Sequence, residues 1–290
     1  MNNNRLKIIT EFCFTLPSIL WLTVFFLIPT ILLIILAFKS SPLLILYDNI
    51  NNTDGIYSGF SNLGVYTTII FRTLWISILS TVICIIIAIP IGYCIVKLPE
   101  YLRRLCILFI IIPFWINFLV RISAWKLFLS PDNVLFKSLL FFGIINENTL
   151  LIHNNIAVIT VIVYTSLPFA ILAIYSAADK FDFELIEAAY DLGANCFESF
   201  LYIFIPNIIS GIKSGIILVL IPCLGSYVIP ELIGNTSSPM VGNIVINHIF
   251  VHKNISLASF WLCALISIVL LIVLVCSLMI ILLRFLKQKG

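Results

Sequence analysis

Long apolar runs alternate with short polar interruptions along this chain, and the runs set its architecture. They cover about 12–38, 73–96, 105–129, 156–178, 212–229 and 257–283. Each is close to or above the roughly 20 residues that a helix needs to cross the hydrocarbon layer. A further run, 134–145, is too short to cross and predicts an interfacial or re-entrant helix. The interruptions read as turns and loops: a Ser-, Asn- and Gly-rich stretch at 39–62, the charged turn "KLPEYLRR" from Lys97 to Arg104, "SPDN", and a polar loop at 231–256. Pro17 and Pro29 predict kinks in the first run, and Gly215, Pro222 and Gly225 loosen the fifth. The first run is longer than a signal-peptide core and lacks a small-x-small cleavage pattern, so it is expected to stay as an anchor helix. Six crossings put both termini on one side.

Composition turns this pattern into a class. Of 290 residues 62% are hydrophobic and 10% charged, and the mean hydropathy is +1.19. The expected fold is an all-α integral membrane protein with little extramembrane mass, so soluble machinery must come from partners. A net charge of +3 with no polybasic run gives no footing for nucleic acid. Lys and Arg divide ten to five in favour of the side that holds the termini, with Arg121 inside the membrane, which predicts cytoplasmic ends. The eight cysteines lie mostly in apolar runs without C-x-x-C pairs and read as packing residues. His248 and His252 are four apart with no third ligand, so a structural role is expected for them and for His153. "GIKSGI" lacks the spacing of a nucleotide-binding loop, and no nucleophile has a positioned base; the chain is expected to be no enzyme.

One interruption has the opposite character. From Asp182 to Ile208 there are five carboxylates and no Lys or Arg. Asp182 suits the start of a helix, Glu184 and Glu187 favour the positive end of its dipole, and Glu184, Glu187 and Asp191 share a face. Leu185, Ala188, Ala189 and Leu192 predict an apolar face opposite. Gly193 fits the left-handed position after the helix, and Asn195 with Glu198 forms a capping box for a second helix that runs to Pro206. A helix lying on an anionic membrane surface would carry Lys and Arg. This insert carries acids, so it predicts a protein partner on the cytoplasmic side.

"EAAYDLGANCFESFLYIFIP", Glu187 to Pro206, closely resembles the EAA motif of the membrane subunits of bacterial ABC importers. Ile205 stands where that motif usually has Leu. The resemblance implies that Glu187, Ala188, Ala189, Asp191, Gly193, Ile203 and Pro206 belong to a coupling helix that docks on an ATPase subunit. "PFWINFLVRISAWKLFLS", "IPCLGSYVIPELIGN" and "MVGNIVINHIF" are similar to stretches of the B-type spermidine/putrescine permease subunits of that family. The resemblance covers most of the chain after about residue 60. It implies the type I importer transmembrane fold, with an anchor helix and periplasmic loop in 1–62, the transmembrane domain in 63–290 and the insert in 180–211. It further implies a bacterial inner-membrane location, a second homologous permease in a heterodimer, two ATPase subunits that hold ATP and Mg while this chain binds no cofactor, and a periplasmic binding protein.

A polyamine is best received by aromatic faces and a few carboxylates. Phe114, Asn117, Arg121, Trp125 and Phe128 are expected on one stripe of the third span. Trp115, Asn117, Tyr164, Tyr227 and Glu231 are the candidates for the substrate path, and Arg121 is expected near the outer boundary, paired with Glu231 or Asp132. Permeases for other small solutes are the neighbouring reading. An ion-coupled secondary transporter, which wants acids deep in its spans, is a more distant one.

Overall fold

The computed structural model describes residues 15–39, 55–131, 133–141, 151–234, 239–251, 253, 255 and 257–271, and every regular element among them is helical. In chain order these are α1 (Thr15–Ala37), α2 (Gly55–Lys97), α3 (Glu100–Ile111), α4 (Phe118–Phe128), α5 (Val134–Phe141) and α6 (Asn155–Ala178). There follow α7 (Glu184–Asp191), α8 (Cys196–Asn207) and α9 (Ile209–Leu224), α10 (Val228–Ile233), α11 (Val241–Phe250) and α12 (Leu257–Leu271). The chain forms two compact units, residues 66–243 and residues 1–65 with 244–290.

Among the described residues, three helices are long and apolar enough to cross a membrane: Thr15–Ala37, Thr67–Lys97 within α2, and Asn155–Ala178. Two bent pairs raise the number to five if each pair is one span, namely α3 with α4 and α8 with α9. The sixth expected run is described only as far as Leu271, so its full length lies outside the described residues. The expected 134–145 helix is present as α5, with the end of that run also outside them.

The third run departs from expectation. It is not one straight span, because α3 passes through a 3-10 turn at Ile112–Trp115 and α4 leaves at 91°. Pro113 has no N–H to give the helix and its ring crowds the carbonyl four residues back. Asn117 then adopts an extended conformation and its side chain accepts a hydrogen bond from the N–H of Leu119, which starts a new helix. Phe114 and Asn117 therefore do not continue the stripe of Arg121, Trp125 and Phe128 on a single helix. The prolines of α1 and α8 are absorbed differently. π-turns at Thr23–Leu27 and Phe200–Phe204 precede Pro29 and Pro206 and include the residue four before each, which widens the coil where the ring would clash.

In the 66–243 unit, α2, α6 and α9 approach backbone to backbone. A Cβ on Gly211 would lie 2.4 Å from the Ala177 side chain, and one on Gly92 would lie 2.9 Å from Ile174. Close approach over small residues is how helices associate in lipid, where burial of apolar surface gives no net driving force. Ile76, Cys84, Ala88, Val161, Ile174 and Phe204 are among the fully buried side chains of this core.

Candidate functional site

The acidic insert folds as its local signals dictate. Asp182 accepts a hydrogen bond from the N–H of Glu184 (3.0 Å), at the first residue of α7. The end of α7 closes with the N–H of Gly193 on the carbonyl of Tyr190 (2.9 Å) and that of Ala194 on Ala189 (3.0 Å). Gly193 has φ 89°. This is the paired pattern that a left-handed residue permits after a helix. Glu198 and Asn195 exchange side-chain and backbone bonds of 2.9 Å each, completing the expected capping box at the start of α8.

The expected apolar face of α7 stands open except at Ala189. Ile186 and Ala189 are buried, while Leu185 is 46% exposed and Leu192 89%. Ala188 also points outward, with Glu184, Glu187 and Asp191. Ile186 and Phe204 belong to the buried core, with Tyr93, Phe183 and Phe200 packed against it. The exposed surface of the insert thus mixes acids with Leu185, Ala188, Leu192 and Phe197, the last 71% exposed. Of the remaining motif residues, Gly193 and Pro206 are exposed and Ile203 is half-buried.

Three attachments hold the insert to the spans. In the first, Tyr93 of α2 meets the rings of Phe204 at 4.8 Å, Phe200 at 5.2 Å and Phe183 at 6.2 Å. Phe181 closes the cluster on Phe204 at 5.3 Å, and Lys97 sits 4.4 Å over the Tyr93 ring. In the second, Arg103 of α3 pairs with Asp179 at 2.8 Å, just past the end of α6. In the third, the chain itself turns 69° from α8 into α9, where Asn207 donates to the carbonyl of Ile203 (2.7 Å). Beside this junction a cleft of about 550 Å³ runs between α6, α9 and the insert, with Lys180, Asp182, Asn207 and Ser210 on its walls. Sequence reasoning missed Tyr93 and Arg103. A Tyr four residues before a Lys at the end of an apolar run was the available signal for the first.

The path candidates do not form one constellation. Trp115 is 84% exposed on the turn between α3 and α4. Asn117 is taken up in capping α4. Tyr164 packs on Trp125 at 5.3 Å and lines a cavity of about 430 Å³ with Arg121 and Phe128. Tyr227 and Glu231 are brought together by Asn243, a buried residue not singled out from sequence. Its side-chain amide donates to the carbonyl of Tyr227 (3.1 Å) and to Glu231 (2.6 Å), and its oxygen accepts from the N–H of Met240 (3.3 Å). Glu231 therefore presents an oriented carboxylate at the surface. His153 has the expected structural role: its N–H donates to Ile233 (2.8 Å), and its Nδ1 lies 2.9 Å from the carbonyl of Gly234.

Arg121 is placed differently from the expectation. Its guanidinium lies over Phe114 (5.3 Å) and Phe118 (5.9 Å), it forms no ion pair with Glu231, and Asp132 is outside the described residues. The 91° bend also voids the straight-helix estimate of its depth.

The family model for the binding-protein-dependent transport system inner membrane component matches residues 81–289. The spermidine/putrescine transport system permease protein PotB of Haemophilus influenzae is 32% identical over 257 residues, 88% of this chain and 86% of that one. The PotB of Escherichia coli K12 is 34% identical over 181 residues, 62% of this chain and 66% of its own length. The inner membrane ABC transporter permease protein YdcU of the same organism is 28% identical over 190 residues, 61% and 60% of the two chains.

Proposed function

The chain belongs to the family of binding-protein-dependent transport inner membrane components, and from that premise we propose that it is the permease subunit of an ATP-driven polyamine importer. It forms half of the translocation path, beside a second permease of the same fold. Two ATPase subunits hold ATP and Mg, and a periplasmic binding protein delivers spermidine or putrescine. Six crossings with cytoplasmic termini complete the topology, as the distribution of Lys and Arg supports.

The observation that carries this reading is the exposed face of the insert. Leu192 and Phe197 stand free of this chain among exposed Glu187 and Asp191. An apolar and acidic surface on a segment outside the spans suits a protein cleft better than an anionic lipid surface. The ATPase dimer closes on ATP and draws the insert inward. Attachment at Tyr93, Asp179 and Pro206 carries that displacement into α2, α3 and α9, and the bundle opens outward. Hydrolysis releases the insert and the bundle returns. A cationic cargo is supported by the similarity to the polyamine permeases and by the oriented Glu231 carboxylate.

The test is reconstitution of the whole transporter in proteoliposomes, with labelled spermidine uptake competed by putrescine, cationic amino acids and sugars. Competition by polyamines alone is expected. Equal competition by a sugar or an amino acid overturns the cargo, and uptake that persists with inactive ATPase subunits overturns the mechanism.

A further inference from the structure

Arg121 is the residue of this chain that the importer reading leaves unexplained. The residue is 9% exposed, its Nε has no hydrogen-bond partner, and among the described residues it has no ion pair. The rings of Phe114 and Phe118 steady its charge but offer no lone pair to its donors. A guanidinium buried in this way costs several kcal/mol unless an anion answers it, at the order of magnitude usual for buried ions.

Beside it lies a cavity of about 300 Å³, walled by Phe114, Phe118, Thr165, Ser166, Cys223 and Ser226 among others. It is apolar except for hydroxyls and the guanidinium, which is the surrounding that a single carboxylate would use. We infer that this cavity is a carboxylate site, filled in the assembled transporter by an acidic side chain of the second permease subunit. The inference rests on the importer reading for the existence of that subunit.

Depth decides between the sources of an anion. Ser166 is the twelfth of the 24 residues of α6. At 1.5 Å per residue it lies about 16 to 18 Å from either end of that helix. The hydrocarbon half-thickness is about 15 Å, so a lipid phosphate stays a full leaflet away from the site. A polyamine carries no anion and would be repelled. Among the described residues, the acids nearest in sequence to the cavity wall are engaged: Glu231 holds Asn243, and Asp179 holds Arg103. A neighbouring membrane subunit can bring a carboxylate to mid-depth, and a planar, permanently charged Arg is the residue suited to receive it in two parallel bonds.

The experiment uses the complete transporter, purified through a tag on this chain, with R121Q, R121E and R121K compared with wild type. At least tenfold less of the second permease is expected with R121Q and R121E, and partial recovery with R121K. Selection of R121E cells for restored polyamine uptake is expected to yield a change of Asp or Glu in the second permease to Lys, Arg or a neutral residue. Membrane insertion of each variant is checked first; if R121E fails to insert, R121Q carries the comparison. Wild-type recovery of the second permease with R121Q overturns the inference. So do suppressors confined to this chain, rescue by removing anionic lipids, or a carboxylate-bearing cargo whose uptake R121Q alone abolishes. If the wild-type complex contains no second permease, the importer reading fails before any variant is compared. If suppressors arise in the second permease while polyamines fail to compete, the cargo reading falls and the carboxylate site stands.

Discussion

Replacing Gly193 by Val isolates the backbone from every other property of the insert. Gly193 has φ 89°, and a Cβ built there meets nothing within 4 Å, so no collision with a neighbour enters the cost. What remains is conformation. A left-handed residue with a Cβ costs roughly 1–2 kcal/mol, and a β-branched one sits at the upper end or beyond. To escape it the chain must release the bonds from Gly193 to Tyr190 and from Ala194 to Ala189. The helix they terminate has eight residues, too few to persist without tertiary support. A shift of 1–2 kcal/mol corresponds to a factor of about 5 to 30 in the ratio of aimed to misaimed insert. We therefore expect G193V to lower substrate-stimulated ATPase activity and uptake by up to that factor in proteoliposomes, with the thermal stability of the spans unchanged. G193N, whose side chain tolerates the left-handed region, should retain most of the activity. Wild-type coupling in G193V would refute the reasoning. Equal damage in G193N and G193V would show that the site needs the absent side chain and not the backbone angle.

Other expectations follow from the same contacts. Phe204 is fully buried in the aromatic cluster, so F204A should cost about 3–5 kcal/mol in detergent unfolding, while Y93F should keep the rings packed and uptake near normal. The Arg103 and Asp179 side chains are 30% and 42% exposed; a double-mutant cycle should give at most about 1 kcal/mol of coupling, as for other solvent-screened pairs. G211V must push Ala177 away from a 2.4 Å approach, and should lower the midpoint of thermal unfolding with a penalty of about 1–3 kcal/mol or more. E231Q should raise KM for polyamine with little change in assembly, and N243A should do the same by freeing the carboxylate; unchanged uptake kinetics in both would remove Glu231 from the path.

Local signals were readable wherever a short stretch settles its own conformation. The capping box of Asn195 and Glu198 and the left-handed Gly193 are decided within four residues, and both were legible. The positions of α1 and α6 followed from apolar length alone, but α2 begins at Gly55, within the stretch read as a loop, and α11 occupies much of the loop expected at 231–256. The break at Pro113 was not seen, because proline is tolerated within membrane helices when neighbours satisfy the freed carbonyl, and only the cap at Asn117 turns it into a 91° corner. The open face of α7 was legible from its spacing, while the burial of Ile186 was not, because the core it joins is built with Tyr93, some ninety positions earlier in the chain. Asn243 and Glu231 meet between two helices whose pairing no period reveals.

On the proposed importer reading, the three attachments divide the labour of coupling unequally. The Arg103–Asp179 pair is half exposed and yields readily to water, so it can guide α3 but not drag it. The aromatic cluster is different: Phe204 is fully buried, and the contacts of Tyr93 with Phe204, Phe200 and Phe183 must all be broken for the insert to move independently of α2. The covalent turn through Pro206 into α9 cannot be broken at all, but its 69° corner can flex. Displacement of the insert should therefore reach α2 as a rigid push and α9 as a change in hinge angle. Since α9 also packs on α6 through Gly211, with no room for a side chain, the hinge moves α6 and α9 as one body. On the proposed importer reading, the bundle opens by a rotation of α6 and α9 against α2, which slides across the contacts of Gly92 with Ile174 and of Gly215 with Ile85.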